Sequence, residues 1–143
     1  MVNTLLLDTN VVSEAARPQP DRHVMSRLAA AQGSAAIAAV SWHELVFGVE
    51  RLPDGHRRNA LTVFLTEVRD RYPVLAYDVR AADWHAMQRA RLESHGTPSS
   101  FADGQVAACA VTNGLLLVTR NVTDFEGFTG LRVQNWWDEP GRE

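Results

Sequence analysis

The sequence contains no lysine, one cysteine and no long hydrophobic run, and each absence removes a class of protein. Cys109 alone cannot form an internal disulfide, and without a Cys pair or a Cys/His cluster there is no signature of a zinc site. No apolar stretch reaches the roughly 20 residues of a membrane span. The opening residues also lack the basic region of a secretory signal. We therefore expect a cytoplasmic protein that does not interact with a membrane.

All 14 of the lysine and arginine residues of the chain are arginine. A GC-rich genome explains this bias, while the planar fork of donors on arginine also suits phosphate recognition; the two explanations are compatible. The formal net charge is -3, so no overall basic field indicates a nucleic-acid partner. Any phosphate recognition must therefore depend on the local placement of arginines, and Arg17 and Arg51 are the candidates nearest to predicted acidic positions.

The length and the pattern of apolar residues predict one α/β domain spanning residues 1–143. Short apolar segments typical of buried strands occur in TLLLD, SAAIAAV, VLAY, LLLVT and LRVQNW. Segments with helical spacing occur in NVVSEAAR, DRHVMSRLAAAQG, SWHELVFGVERL, HRRNALTVFLTEVRDRY, VRAADWHAMQRARLESHG and SFADGQVAACAVTNG. Because strands alternate with helices, we expect a central parallel sheet of about five strands with helices on both faces. The tail WWDEPGRE is predicted to anchor through its tryptophans and then fray.

Four acidic residues, Asp8, Glu44, Asp103 and Asp124, each follow a predicted strand or open a predicted helix. In a parallel α/β sheet such positions meet outside the carboxyl ends of the strands. Two unit charges about 4 Å apart repel by roughly 4 kcal/mol at an effective dielectric near 20. A hard divalent cation with oxygen ligands relieves that repulsion. The sequence therefore predicts a metal site and chemistry on a phosphate.

Each acid also has a purely structural interpretation. Asp8 is placed to cap the following helix as an Asx-type turn. The segments Ser41–Glu44 and Ser100–Asp103 both have the S-x-x-E/D spacing of a capping box. Asp124 fits an ordinary surface loop. The common placement of the four residues relative to strands and helix starts favours the shared site.

Four segments together resemble the PIN domain, and more narrowly the VapC-type toxins of toxin–antitoxin pairs, including the FitB-like branch. They are LLLDTNVVSE, ELVFGV, ADGQVAACA and LVTRNVTDFEG, and they span nearly the whole chain in the right order. The resemblance implies a three-layer α/β/α fold and a metal-dependent ribonuclease. It also implies functional roles for Asp8, Glu44 and Asp103 as principal acids, for Asp124 as the fourth, and for Thr9, Thr119 and Asn121 as polar partners.

The same resemblance implies an RNA substrate, a cognate antitoxin that blocks the cleft, and a homodimer. The expected cofactor is Mg²⁺, with Mn²⁺ as the alternative, held by Asp8, Glu44, Asp103 and Asp124. A metal-bound water would attack the phosphodiester, with Thr119 and Asn121 orienting acids or water. One departure is Gly104, which is a poor helix former directly after Asp103; close approach of the substrate backbone is the explanation we expect.

Two other function classes are compatible with parts of the sequence. A haloacid-dehalogenase-type phosphatase also begins with a strand that ends in Asp, but Asn10 stands where that chemistry needs a second acid. A non-catalytic acidic α/β module, such as a receiver-like or RNA-binding regulator, would share the fold. The complete set of four acids favours the nuclease.

Overall fold

The computed structural model describes residues 3–137, which form a five-stranded parallel sheet. Its strands lie in the spatial order β3-β2-β1-β4-β5. Their bounds are β1 (Leu5–Leu7), β2 (Ala35–Ala38), β3 (Val74–Leu75), β4 (Leu116–Val118) and β5 (Val133–Gln134). All four strand pairs are parallel. The predicted parallel sheet of about five strands is therefore confirmed.

Six α-helices connect these strands. They are α1 (Thr9–Glu14), α2 (Arg22–Ala30), α3 (Ala39–Glu50), α4 (His56–Arg71), α5 (Val79–Ser94) and α6 (Phe101–Thr112). A short 3₁₀ helix (Val122–Phe125) follows β4. None of the helices in residues 3–137 is both long and apolar enough to cross a membrane.

Side chains alternate between the two faces of the sheet, as the period of a strand requires. In β1, Leu7 packs into a core shared with α1 to α4, whereas Leu6 packs into a second core shared with α5 and α6. Ile37 and Ala36 divide between the two cores in the same way in β2. Helices thus cover both faces, and the predicted α/β/α arrangement is confirmed.

Side-chain caps mark the starts of four helices in residues 3–137. Asp8, Asp21, Asp78 and Ser100 accept hydrogen bonds from backbone N–H groups in the first turns of α1, α2, α5 and α6, which stabilises each helix start. The sequence predicted the caps of α1, α5 and α6.

The start of α3 differs from the prediction. The helix begins at Ala39, directly after β2, and its cap residue Ala38 has no side-chain hydrogen bond. Ser41 therefore lies inside the first turn, buried, and is not the cap residue. The capping-box interpretation of Ser41–Glu44 was wrong, because β2 is shorter than the apolar segment SAAIAAV.

Two predicted roles of single residues can be compared with the fold. Cys109 lies on the buried face of α6. Burial raises the pKa of its thiol to about 11, and the nearby charge of Asp78 contributes to the same shift. It is a buried hydrophobe, as predicted.

Trp136 is also buried, which confirms the tryptophan anchor. The predicted fraying after Trp137 lies outside the described residues.

Candidate active site

The strand order places a topological switch point between β1 and β4. From β1 the chain moves to β2 and β3 on one side, and β4 and β5 lie on the other. Ligands of open α/β sheets bind outside the carboxyl ends of the strands at such a point. Asp8 follows β1 there, and Thr119 follows β4.

Asp8 is held by three hydrogen bonds. Its Oδ1 accepts from the Thr9 backbone N–H at 2.9 Å, and its Oδ2 accepts from Thr119 Oγ1 at 2.8 Å and from Asn10 Nδ2 at 3.3 Å. The backbone N–H of Asp8 also donates to Val118 O, which ties the residue to β4. The predicted capping role is therefore real, and it coexists with a carboxylate fixed at the switch point.

Thr119 is fully buried and joins the two loops that leave β1 and β4. Its hydroxyl donates to Asp8 and accepts from the Asn121 backbone N–H at 3.1 Å. Asn10 adds a second connection, because its Oδ1 accepts from the Arg120 backbone N–H at 3.1 Å. The sequence prediction did not include Asn10 among the site residues, although its position two residues after Asp8 is a recognisable Asx-type signal.

Asp103 lies in the first turn of α6, with its backbone N–H bonded to Ser100 Oγ at 3.0 Å. Burial raises the pKa of its carboxyl, and the charges of Asp124 and Asp8 raise it further, against a lowering hydrogen bond from Ser100. Two other acids therefore lie close enough to disfavour a third negative charge. That Asp8, Asp103 and Asp124 act together as one acidic site stays a prediction.

Asp124 lies in the 3₁₀ helix and is exposed, with its backbone N–H donating to Asn121 O. The Asn121 side chain makes no capping bond to that helix. Asp124 and Asp103 line an open cavity of about 580 Å³, together with Ser100, Thr123 and Glu126. This cavity gives a ligand direct access to two of the three acids.

Glu44 is exposed on the second turn of α3, and the first turn of that helix contains no acid. The helix starts at the same edge of the sheet as Asp8, since β2 is the neighbour of β1. In residues 3–137 the Glu44 side chain makes no hydrogen bond, and its charge is not among the causes that shift the pKa of Asp103. The membership of Glu44 in the acidic site stays a prediction.

Residues 5–127 match the PIN domain family. This chain belongs to that family. As a PIN domain, the chain is also similar to three characterised toxins and nucleases. VapC ribonuclease Y4jK of Sinorhizobium fredii is 33% identical over 141 residues, covering 94% of this chain and 98% of its own. The tRNA(fMet)-specific endonuclease VapC of Shigella flexneri is 33% identical over 131 residues, covering 92% and 96%. Toxin FitB of Neisseria gonorrhoeae is 33% identical over 125 residues, covering 85% and 90%.

The fold of this PIN domain agrees with a solved structure. The crystal structure of FitAcB from Neisseria gonorrhoeae superposes with a TM-score of 0.88 and 31% identity, covering 95% of this chain and 100% of the matched one. The three-layer architecture is therefore that of the family.

The donor set of this PIN domain suits a hard divalent cation. Carboxylate oxygens are the ligands that Mg²⁺ and Mn²⁺ prefer, and a cation would offset the charges of Asp124 and Asp8, which add to burial in raising the pKa of Asp103. In residues 3–137, however, no three His, Cys, Asp or Glu side chains are grouped closely enough to hold an ion between them. The site therefore fits a cation that is bound through few carboxylates.

Gly104 follows Asp103 for a reason that the sequence prediction missed. A Cβ atom at Gly104 would collide with the imidazole of His85, which packs on α6 from α5. His85 is buried, and its Nδ1 lies 2.8 Å from Tyr77 Oη. A close approach by the protein's own histidine explains the glycine. The expected contact with substrate backbone is not needed.

Proposed function

We propose that this protein is an endoribonuclease that acts as the toxin of a toxin–antitoxin pair and hydrolyses RNA phosphodiesters. The observation that supports this most directly is the Asp8 carboxylate, which hydrogen bonds from Thr119 Oγ1 and the Thr9 backbone N–H hold at the switch point of a PIN domain. Asp103 and Asp124 line an open cavity, and carboxylates at such a position are suited to a divalent cation and a phosphate. The names of the relatives, a VapC ribonuclease, a VapC endonuclease and Toxin FitB, support the same reaction and role.

The residues of the site have separate tasks in this proposal. Mg²⁺ or Mn²⁺ would be held by one or two carboxylates drawn from Asp8, Asp103, Asp124 and Glu44, with the other acids acting through bound water. When bound, such an ion polarises a phosphate oxygen and lowers the pKa of a water molecule. Mg²⁺ commonly binds through one or two carboxylates and keeps several waters, which agrees with the spread of these acids.

Hydrogen bonds keep the acids ready for that task. Thr119 Oγ1 and the Thr9 backbone N–H donate to the two oxygens of the Asp8 carboxylate and prevent its rotation. Ser100 supplies a hydrogen bond that favours the charged form of Asp103 against the burial that disfavours it. These residues therefore position both carboxylates before the substrate arrives.

The partner expected of such a toxin is a cognate antitoxin that covers the acidic site. A homodimer is part of the same proposal. Two exposed apolar side chains, Phe47 and Val63, on neighbouring helices α3 and α4 would support either contact. Sedimentation of the purified chain, alone and with the antitoxin, distinguishes the two assemblies.

The decisive experiment combines brief induction in bacteria with mapping of RNA 5′ ends. We expect growth arrest and cleavage that leaves 5′-phosphate and 3′-hydroxyl ends, because water and not the ribose 2′-hydroxyl is the nucleophile. Asp8→Asn and Asp103→Asn should abolish both effects. Thr119→Val should reduce cleavage by about 10- to 100-fold, which is typical when a residue that orients a metal ligand is lost.

The matched control is Asp54→Asn, which removes a carboxylate from the exposed connection between α3 and α4. It should leave arrest and cleavage unchanged. Glu44→Gln should abolish cleavage if Glu44 belongs to the site. Recovery of 2′,3′-cyclic phosphate ends would contradict hydrolysis, and an intact RNA pool during arrest would favour the non-catalytic alternative.

A further inference from the structure

Phe101 is a large aromatic residue that is left half in solvent beside the acidic site. It is the first residue of α6, and its side chain is 51% exposed. Its ring centroid lies 4.8 Å from that of His85 and 6.3 Å from that of Tyr77. These contacts support the ring from beneath and restrict its orientation. An aromatic ring that is both exposed and fixed is suited to bind a flat ligand.

Arg89 adds a positive charge to this ring. Its guanidinium carbon lies 5.5 Å from the Phe101 centroid. The guanidinium also contacts Glu93 at 3.1 Å, in an exposed pair one helical turn apart. Such pairs contribute only about 0.3–0.5 kcal/mol. Arg89 can therefore exchange Glu93 for a phosphate at little cost, and its planar fork of donors suits that ligand.

An open cavity of about 270 Å³ lies against these side chains. Tyr77, His85, Arg89, Glu93 and Phe101 contribute its functional groups. The cavity that contains Asp103 and Asp124 lies against the same helix start, through Ser100 and Asp103. The amino end of α6 therefore separates an aromatic cavity from the acidic one.

Helix geometry places the two cavities within reach of one strand. Phe101 and Asp103 are two residues apart, which corresponds to about 3 Å along the helix axis and about 200° around it. A ligand that contacts both must therefore cross the amino end of α6. Backbone N–H groups at such an end favour the passage of a phosphate. The aromatic cavity would bind a base, and the acidic cavity would cleave the phosphodiester of a neighbouring nucleotide in the same RNA strand.

We propose that Phe101 and Arg89 form a nucleobase-binding subsite, in which one base of single-stranded RNA stacks on Phe101 while Arg89 contacts its phosphate. The subsite rests on the proposed ribonuclease function, because its ligand is the substrate of that reaction. Base–aromatic stacking tolerates every sequence, since each base has a π-face. Arg89 supplies the positive charge that a phosphate requires, because its exposed pair with Glu93 is weak enough to be exchanged.

The test measures binding of a fluorescein-labelled, mixed-sequence, unstructured RNA decamer in Mg²⁺, with Asp8→Asn present in every protein so that the RNA stays intact. Phe101→Leu should weaken binding by about 5- to 100-fold, the range for loss of one stacked base. Phe101→Trp should bind as tightly as the parent or more tightly. Arg89→Gln should weaken binding and reduce its dependence on salt.

Met87 provides the control. It is a large apolar residue that is 65% exposed on α5, but it lies two residues from Arg89 and therefore about 200° around the helix from it. Met87→Ala should change the dissociation constant less than twofold. A decamer in which abasic ribose replaces every nucleoside should bind the parent and Phe101→Leu equally, because no base is left to stack.

Several outcomes would overturn the subsite. They are equal RNA binding by the parent and Phe101→Leu, no measurable binding by either, and an equal loss for Met87→Ala. A change of oligomeric state in Phe101→Leu would instead assign the ring to a protein interface. Cleavage by the protein with native Asp8, assayed in parallel, separates the two proposals. If that protein cleaves RNA with the same KM when Phe101 is Leu, the subsite fails and the nuclease stands.

Discussion

Gly104 and His85 act as one unit, although they lie on different helices. His85 is held by Tyr77 and occupies the space that any side chain at position 104 would need. The pair fixes the distance between α5 and α6 directly behind Asp103. An acid of the candidate site thus depends on a glycine and a histidine that need not touch the substrate.

A double-mutant cycle tests this dependence. Gly104→Ala should lower the free energy of unfolding by about 1–3 kcal/mol, since overpacking forces a backbone or side-chain shift. In a His85→Ala background the same change should be neutral or slightly stabilising, because alanine is the better helix former. The measurement is urea denaturation of the four proteins.

Gly48 supplies the control for that cycle. It is also helical, but a Cβ atom there would meet no other atom within 4 Å. Gly48→Ala should therefore not destabilise the protein in either background. Equal costs of Gly104→Ala with and without His85 would show that the ring is not the obstacle.

Single residues of the site were predictable where a local rule placed them. Asp8 and Asp103 stand beside a strand end and a helix start, and those positions are visible in the sequence. The His85–Gly104 contact was not predictable, because the two residues lie on different helices and the local sequence of each helix does not indicate which residues of the other it contacts. Asn10 was missed for a different reason, since two of its three side-chain hydrogen bonds cross to Thr119 and Arg120 on a distant loop.

The connection between α1 and α2 depends on Glu14, a buried acid at the end of α1. Its Oε2 accepts from the Asp21 backbone N–H at 2.7 Å, and Oε1 contacts Arg17 at 3.4 Å. The first bond closes the proline-containing loop between the helices. Arg17, predicted as a candidate near the acidic site, is therefore paired within this loop, while its contact with RNA stays a prediction.

Replacement of Glu14 should destabilise this element. Glu14→Ala removes the buried carboxylate that accepts from the Asp21 backbone N–H, which costs about 1–3 kcal/mol. Glu14→Gln keeps an acceptor oxygen and should cost less. The free energy of unfolding in urea gives both values. Glu50→Ala removes an exposed carboxylate paired with Arg58 and should lose clearly less than Glu14→Ala; equal losses would contradict a special role for Glu14.

Helices and strands were predicted well in number and type, but less well at their ends. The error at α3 shows why. The segment SAAIAAV is apolar throughout, and such a run does not distinguish the end of a buried strand from the start of a helix. A capping side chain would have marked the boundary, as Asp78 and Ser100 do for α5 and α6, but Ala38 has none.

At the scale of the whole molecule, the acidic site stores unfavourable electrostatic energy. Burial and two neighbouring acids raise the pKa of Asp103, so the folded protein disfavours its charge. The contribution of this group to stability is complete at low pH and is lost as the pH rises through its raised pKa. At neutral pH and without metal, the native fold therefore bears the full repulsion.

Thermal melting in chelator and in metal tests this consequence. In chelator at neutral pH, Asp103→Asn should melt at a higher temperature than the native protein, and the difference should vanish as the pH falls and the native carboxyl takes up a proton. Mg²⁺ or Mn²⁺ at about 100 times its dissociation constant should add roughly 2.7 kcal/mol to the native protein. Asp103→Asn should gain much less, and equal gains would place the ion elsewhere.

The order of the strands was the part of the whole fold that the sequence analysis did not specify. Alternating strands and helices imply a parallel sheet, but several orders share that alternation. Contacts between distant segments decide the order, such as Leu5 beside Leu116. The position of Asp8 and Thr119 on adjacent central strands follows from that order, so their hydrogen bond became visible only in the folded molecule.

The two outermost strands of the sheet, β3 and β5, have only two residues each. Such short edges offer few backbone groups to a foreign strand, and natural proteins use them to avoid sheet-to-sheet aggregation. A peptide that extends the sheet by strand addition would therefore find few backbone groups of β3 or β5 to pair with. An inhibitor of this protein must recognise helix faces and cavities instead, which makes side-chain complementarity, not backbone pairing, the source of its selectivity.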